Sequence, residues 1–358
     1  MKSLLIVPLV LLGASVTEQV GTPQSTAAAT ESPSLAPLGA AAKALLAVLE
    51  EDERAKLSFA FDDDDKRTLW SNLPAAMVPR HGVRIGDLDA EELQAVHGLL
   101  RASTSTQGYL KLSGIIRLDD ILAAGKPGAA DIGWSSENYW VALYGRPGDA
   151  RWGWQLSGHH LAANFSVVDG KLSATPMFVA AEPYEVRRGI EAGWRPLPLE
   201  IDRAWTLFES LDEEQRQRVH TSTRVPRDVS EGPGRAGALK SYVGLPASDL
   251  TLTQTRYFWA LVNEYVDNVP AHEAAELRAR VRSDGLSKLF VSWAGSTERS
   301  KGRFYYRIHG PSLLIEFAVQ GGVGRAGAPN HVHAILREPG GDYGAEWLGR
   351  ELIETPAR

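Results

Sequence analysis

Trp152-Gly153-Trp154-Gln155-Leu156-Ser157-Gly158-His159-His160-Leu161-Ala162-Ala163-Asn164-Phe165 decides the fold, because a later stretch follows the same pattern. That stretch is Phe304-Tyr305-Tyr306-Arg307-Ile308-His309-Gly310-Pro311-Ser312-Leu313-Leu314-Ile315-Glu316-Phe317. In each, an aromatic-rich run reaches a Gly, turns, and continues as an apolar run ending in a polar residue and Phe. Upstream of each lies a strand-like segment closing on Gly, Tyr139 to Gly145 and Leu289 to Gly295. Further upstream, Asp87-Leu88 and Asp249-Leu250 each open a helical pattern. Two helix-plus-meander units in one chain predict an internally duplicated, pseudo-two-fold body with a shared cleft.

Outward from these stretches the periods are readable. Residues 138–180 alternate with period two, giving strands at 139–144, 151–157, 159–168 and 171–179. Arg146-Pro147-Gly148-Asp149, Ser157-Gly158 and Asp169-Gly170 suit the turns between them. Further strands are expected at 288–293, 303–309, 312–319 and 330–337. Helical spacing covers 40–57, 87–100, 110–122, 200–211, 212–221, 251–266 and 271–282, with a closing helix at 341–353. Asp87 or Asp89 and Asp212 stand where helix N-caps belong. Residues 225–244 form a Gly- and Pro-rich loop. Helices grouped before antiparallel meanders define an α+β fold.

The chain has 358 residues and 44% apolar content, enough for one large core. A net charge of -6 gives no reason to expect a nucleic-acid partner. The chain contains no Cys, which excludes thiol nucleophiles, Cys-ligated zinc and iron–sulfur clusters. Lys2 followed by the apolar run Leu4 to Leu12 and small residues reads as a short export signal over residues 1–20. It is too short for stable membrane insertion. Residues 21–37, rich in Thr, Ser, Ala and Pro, read as a disordered linker. A single domain is expected over 38–358, with repeats about 85–180 and 245–337, and an extracytoplasmic location. The acidic run Asp62 to Asp65 fits a solvated turn better than a calcium loop, whose oxygen ligands are spaced differently.

Strand alternation sorts the chemistry-bearing residues. His331, His333, Ile335 and Arg337 share one face, as do Arg303, Tyr305, Arg307 and His309. Glu316 points opposite to Ile315 and Phe317. On the strand read over 159–168, His160, Ala162, Asn164 and Ser166 share a face, and His159 points with Leu161 and Phe165. A His-x-His pair on one strand presents two imidazoles to one point, and Glu316 on the neighbouring strand can add a carboxylate. Two His and one carboxylate suit Zn or Fe. The same residues also fit a plainer account. His331 and His333 then line a solvated face, and Glu316 makes a cross-strand ion pair with Arg307 or Arg337. Phosphate-loop and Gly-x-Ser-x-Gly patterns are absent in their required context. Trp152, Trp154, Tyr305 and Tyr306 at period two read as core.

The chain resembles the DUF3500 family over roughly residues 65–355. The residues that carry the likeness are Trp152-Gly153-Trp154, Gly158-His159-His160-Leu161, Asn164-Phe165, Tyr305-Tyr306-Arg307-Ile308, Gly310-Pro311, Ile315-Glu316-Phe317, Asn330-His331-Val332-His333 and Gly341-Asp342-Tyr343-Gly344. The resemblance implies the domain and no assigned activity. Members of that family follow the Ile-Glu-aromatic triplet with Asp-Asn, and here Ala318-Val319 stand instead, which puts the working of such a site in doubt.

The expected function is an exported, metal-assisted enzyme, a hydrolase using one divalent metal, Zn or Fe. His331, His333 and Glu316 would hold the metal. Glu316, Arg307 and Arg337 would act in catalysis, and His160, Asn164, Asn330 and His309 would bind a small-molecule substrate. The alternative is a non-catalytic extracytoplasmic protein that binds a small molecule or a metal in the same pocket.

Overall fold

The computed structural model describes residues 34–356 apart from 125, 127, 300, 322–328 and 351. The export signal expected over 1–20 and most of the linker expected over 21–37 lie outside the described residues. Eight main strands form two antiparallel meanders. The first holds β1 (Tyr139–Gly145), β2 (Arg151–Gly158), β3 (Leu161–Val168) and β4 (Met177–Ala181). The second holds β5 (Phe290–Gly295), β6 (Phe304–His309), β7 (Leu314–Gly321) and β8 (Pro329–Arg337). Their order across one sheet is β1-β2-β3-β4-β8-β7-β6-β5, so the last strands of the two meanders meet, antiparallel, in the middle.

Short strands complete a 13-stranded mixed sheet. Ser58–Phe59 runs parallel to β1, and His220–Ser222 runs parallel to β5. Val83–Arg84 and Leu245–Pro246 pair antiparallel with the same two strands. Registers also correspond: Gly145 faces Trp152, Trp154 faces Phe165 and Gln155 faces Asn164 in one half. In the other, Gly295 faces Phe304, Tyr306 faces Phe317 and Arg307 faces Glu316. Both Gly145 and Gly295 have positive φ, 75° and 90°, and a Cβ would strike the backbone of the following strand, which explains why both meanders turn on Gly. The two meanders thus correspond in strand order and register.

One face of the sheet carries the large apolar residues Trp152, Trp154, Phe165, Tyr306 and Phe317, all at most 2% exposed, against the helices. Ala90–Ser103, Glu213–Val219 and Leu252–Val266 each begin with a capping box, built on Asp89 with Glu92, Asp212 with Gln215, and Thr251 with Gln254. The opposite face has a smaller apolar patch, with Trp70, Phe178, Val229, Tyr305 and Ile335, mixed with buried polar side chains. Residues 68–80, 223–243 and the C-terminal segment cover it.

Several expected boundaries move. The helix expected over 40–57 is two, Ala36–Val48 and Glu51–Leu57, because Glu50 starts a new capping box. The strand expected over 171–179 is interrupted at Ala174–Pro176. The helix expected over 341–353 shrinks to short turns, Asp342–Gly344 and Ala345–Leu348, because Gly344 and Gly349 adopt the left-handed region. Beyond that stop Glu354 accepts from Arg337 and Trp70. In the acidic run, Asp63 caps a short helix and Asp64 pairs with Arg67 and Arg350.

Candidate metal centre

His159 and His160 are the two residues of the turn between β2 and β3, not the first residues of a strand. The alternation assigned to them in the sequence therefore does not apply. His160 takes φ 62°, a conformation that costs a non-glycine residue energy and needs support. The support is dense. Tyr139 Oη donates to His159 O at 2.7 Å, and His160 N donates to Asn72 O at 3.2 Å. Ala180 N donates to His160 O at 2.8 Å. Arg80 Nη2 donates to Gly158 O and Ser71 O. Gly158 is required here, because a Cβ would lie 2.4 Å from the Tyr139 ring.

That turn delivers His160 to the junction of the two meanders, where β8 presents His331 and His333. His160 Nε2 lies 2.9 Å from His331 Nε2, and His333 Nε2 lies 2.8 Å from His331 Nε2. On the far side of the β8 imidazoles stand two carboxylates, one bonded to its ring and one farther off. His333 Nδ1 lies 2.6 Å from Asp228 Oδ1, and His331 Nδ1 lies 3.7 Å from Glu182 Oε2. Behind His160, the His159 ring stacks at 3.6 Å between centroids, and His159 Nδ1 lies 2.7 Å from Asp119 Oδ1. Tyr139 Oη donates to the other Asp119 oxygen at 2.9 Å. Lys126 stands on the same side, 3.2 Å from Glu182.

His160 and His333 are buried and His331 nearly so. Burial, reinforced by the neighbouring imidazoles and Lys126, pushes the His160 ring far below the usual histidine range. His331 is lowered well below it for the same reasons, burial first. Neutral rings leave a lone pair on each nitrogen that carries no proton. His331 Nε2 has two nitrogen neighbours within hydrogen-bond distance, yet it offers either one proton or one lone pair, so protons alone satisfy this meeting poorly. The groups His160, His331, His333 and Asp119, His159, His160 could each hold a metal ion.

The other expected site residues lie elsewhere. Glu316 is not in either group. Its carboxylate accepts from Ser230 N at 2.7 Å, Glu231 N at 2.8 Å and Tyr305 Oη at 2.5 Å. Arg337 is buried between Asp342 and Glu354, and its Nε donates to Glu231 O. Asn164 accepts from Gln155 Nε2 and donates to Pro176 O, both at 2.7 Å. Asn330 O accepts from Tyr184 N. Arg307 and His309 share the polar face, toward the β5 edge of the sheet. Ala318, which stands where the resemblance expects an acid, is paired across the strands with His333. Asp228, Glu182 and Asp119 escaped the sequence reading; the Arg117-Leu118-Asp119-Asp120-Ile121 stretch reads only as helix.

Comparison with known proteins adds the family. The family model described as "Protein of unknown function (DUF3500)" matches residues 31–345. No curated protein and no solved structure matches the chain. Among the described residues, no helix is long and apolar enough to cross a membrane.

Proposed function

The chain belongs to the DUF3500 family, and we propose that it binds one divalent transition metal, Zn or Fe, through His160, His331 and His333 and uses it to activate water in a hydrolysis. One observation carries this reading: three imidazole nitrogens meet at one point, and carboxylates stand behind the rings from β8. At His333, Asp228 on Nδ1 fixes the tautomer that leaves the Nε2 lone pair for a metal and raises its basicity. A tetrahedral ion with Zn–N bonds of about 2.0–2.1 Å would hold its ligand nitrogens about 3.3 Å apart. His331 Nε2, 2.9 Å from His160 Nε2 and 2.8 Å from His333 Nε2, need only draw back slightly from its two neighbours to reach that spacing. Three protein ligands leave a fourth position for water, which such an ion brings to a pKa near 7.

Glu316 has no part in this proposed ligand set, since three donors already use its oxygens. The catalytic roles expected for Glu316 and Arg337 and the substrate contact expected for Asn164 are likewise not carried forward, because their polar atoms are engaged within the fold. Export to an extracytoplasmic compartment stays part of the proposal, supported by the apolar run Leu4 to Leu12.

The test is metal analysis of protein purified without a His tag, before and after loading with zinc. One equivalent of metal in the wild type, lost in His331→Ala and His333→Ala with the far-UV spectrum retained, supports the centre. A wild type that takes up neither Zn nor Fe overturns it. Metal uptake without hydrolysis of ester, amide or phosphoester panels would leave the non-catalytic metal-binding protein as the surviving reading.

A further inference from the structure

We propose that Arg307, His309 and Ser292 form a second site, distinct from the histidine centre, that binds a small oxyanion through its carboxylate or phosphate oxygens. The starting observation is a buried cation. Arg307 is 7% exposed, its Nε is buried without a partner, and among the described residues its side chain makes no hydrogen bond or ion pair. A guanidinium cannot shed its proton and carries five N–H donors in a planar fork. A buried Nε–H on such a group without an acceptor is disfavoured.

The carboxylate facing it across the strands is already engaged. Glu316 is the cross-strand partner of Arg307, yet both of its oxygens are held by the backbone of Ser230 and Glu231 and by Tyr305 Oη. Glu231 is buried as well, and its two oxygens accept from Gly237 N and Leu239 N. The other buried arginine on this face, Arg337, shows what a completed partner set looks like, with two carboxylates and two backbone carbonyls.

The neighbours of Arg307 are suited to an oxyanion. His309, two residues along β6, points to the same face and has its Nδ1 buried without a partner. Ser292 on β5 stands directly opposite Arg307, so the two side chains leave the same face. Tyr242 packs edge-on against His309 at 4.5 Å and stacks on Phe290 at 5.7 Å, and it is 45% exposed. It marks where this end of the face reaches the solvent.

The register separates this site from the histidines. Arg307 is paired with Glu316, and Glu316 with Ile335, which stands two residues from His333. Two strand spacings and two residue rises put about 12 Å between the Cα atoms of Arg307 and His333. Tyr305 and Glu316, bonded to one another and capped by Ser230, occupy the face between them.

The experiment is thermal unfolding of metal-stripped protein, with the chelator dialysed away, so its reading does not depend on the metal centre. Inorganic phosphate or sodium acetate is titrated against sodium chloride at constant ionic strength. A saturable rise in Tm with at least one of them, absent in Arg307→Gln with an unchanged far-UV spectrum, supports the site, and the effective anion identifies the class. No rise beyond chloride, or the same rise in Arg307→Gln, overturns it. Should Arg307→Gln fail to fold, His309→Gln and Ser292→Ala serve instead. Apparent affinity about tenfold weaker in either is the expected result, as for loss of one hydrogen bond to a charged group, and unchanged affinity in both overturns the site.

Discussion

His160 Nε2 and His331 Nε2 lie 2.9 Å apart although 171 positions separate the residues in the chain. The contact exists because β4 and β8 join the two meanders, which sets the end of the β2–β3 hairpin beside β8. His160 reaches it from a left-handed turn position. His160→Gly therefore removes the ring while suiting φ 62° better than Ala would. Zinc affinity is expected to fall at least tenfold in His160→Gly, with Tm of the metal-free protein little changed. Equal zinc affinity in wild type and variant, by competition with a chromophoric chelator, would count against His160 as a ligand.

Asp228 holds His333 from the outer side at 2.6 Å while its own side chain is 40% exposed. Removing it should leave the fold intact, since it replaces no core contact. Asp228→Asn is expected to weaken metal binding about 10–100-fold, the usual cost of losing a carboxylate behind a ligating imidazole. The same competition assay reads this, and an affinity within twofold of wild type would show that Asp228 does not orient the ligand.

The sheet was legible because its faces differ chemically. Trp154, Phe165, Tyr306 and Phe317 alternate with Gln155, Asn164, Arg307 and Glu316, and each set lies on its own side. The His331–His333 pair was legible by the same period. The third histidine was expected beside the site but on a strand, and its turn went unread, because His-His is not a turn signature and the left-handed residue is usually Gly or Asn. Asp228 and Ser230 were hidden in the aperiodic segment 225–244, where no pattern says which side chain faces the sheet. Glu316 looked like a ligand because alternation gives direction but not partners; two backbone N–H groups and Tyr305 claim it.

Glu316 thus offers a test that separates fold from metal. It is fully buried and gathers three donors. Glu316→Gln replaces one acceptor oxygen by a donor facing donors. The expected cost is about 1–3 kcal/mol of unfolding free energy, as for unsatisfied buried groups, with metal stoichiometry unchanged. Urea unfolding and metal analysis together decide it, and loss of metal from a protein of wild-type stability would restore Glu316 to the ligand set.

Acid should weaken the fold through His81. This ring packs against Phe59, and its Nε2 lies 2.6 Å from Tyr144 Oη. Burial lowers it from 6.5 to about 4, with nearby Lys66 adding to the shift. The unfolded chain therefore takes up a proton near 6.5, while the folded chain takes it up only near 4. Between those values the unfolded state binds more protons, so stability rises with pH across that window. The contribution is present in full above about 6.5 and lost as pH falls through about 4. Urea midpoints measured from pH 7 to pH 4 should fall, and they should fall less in His81→Gln, which keeps a polar group near Tyr144 but does not titrate. Parallel pH profiles for the two proteins would place the acid sensitivity elsewhere.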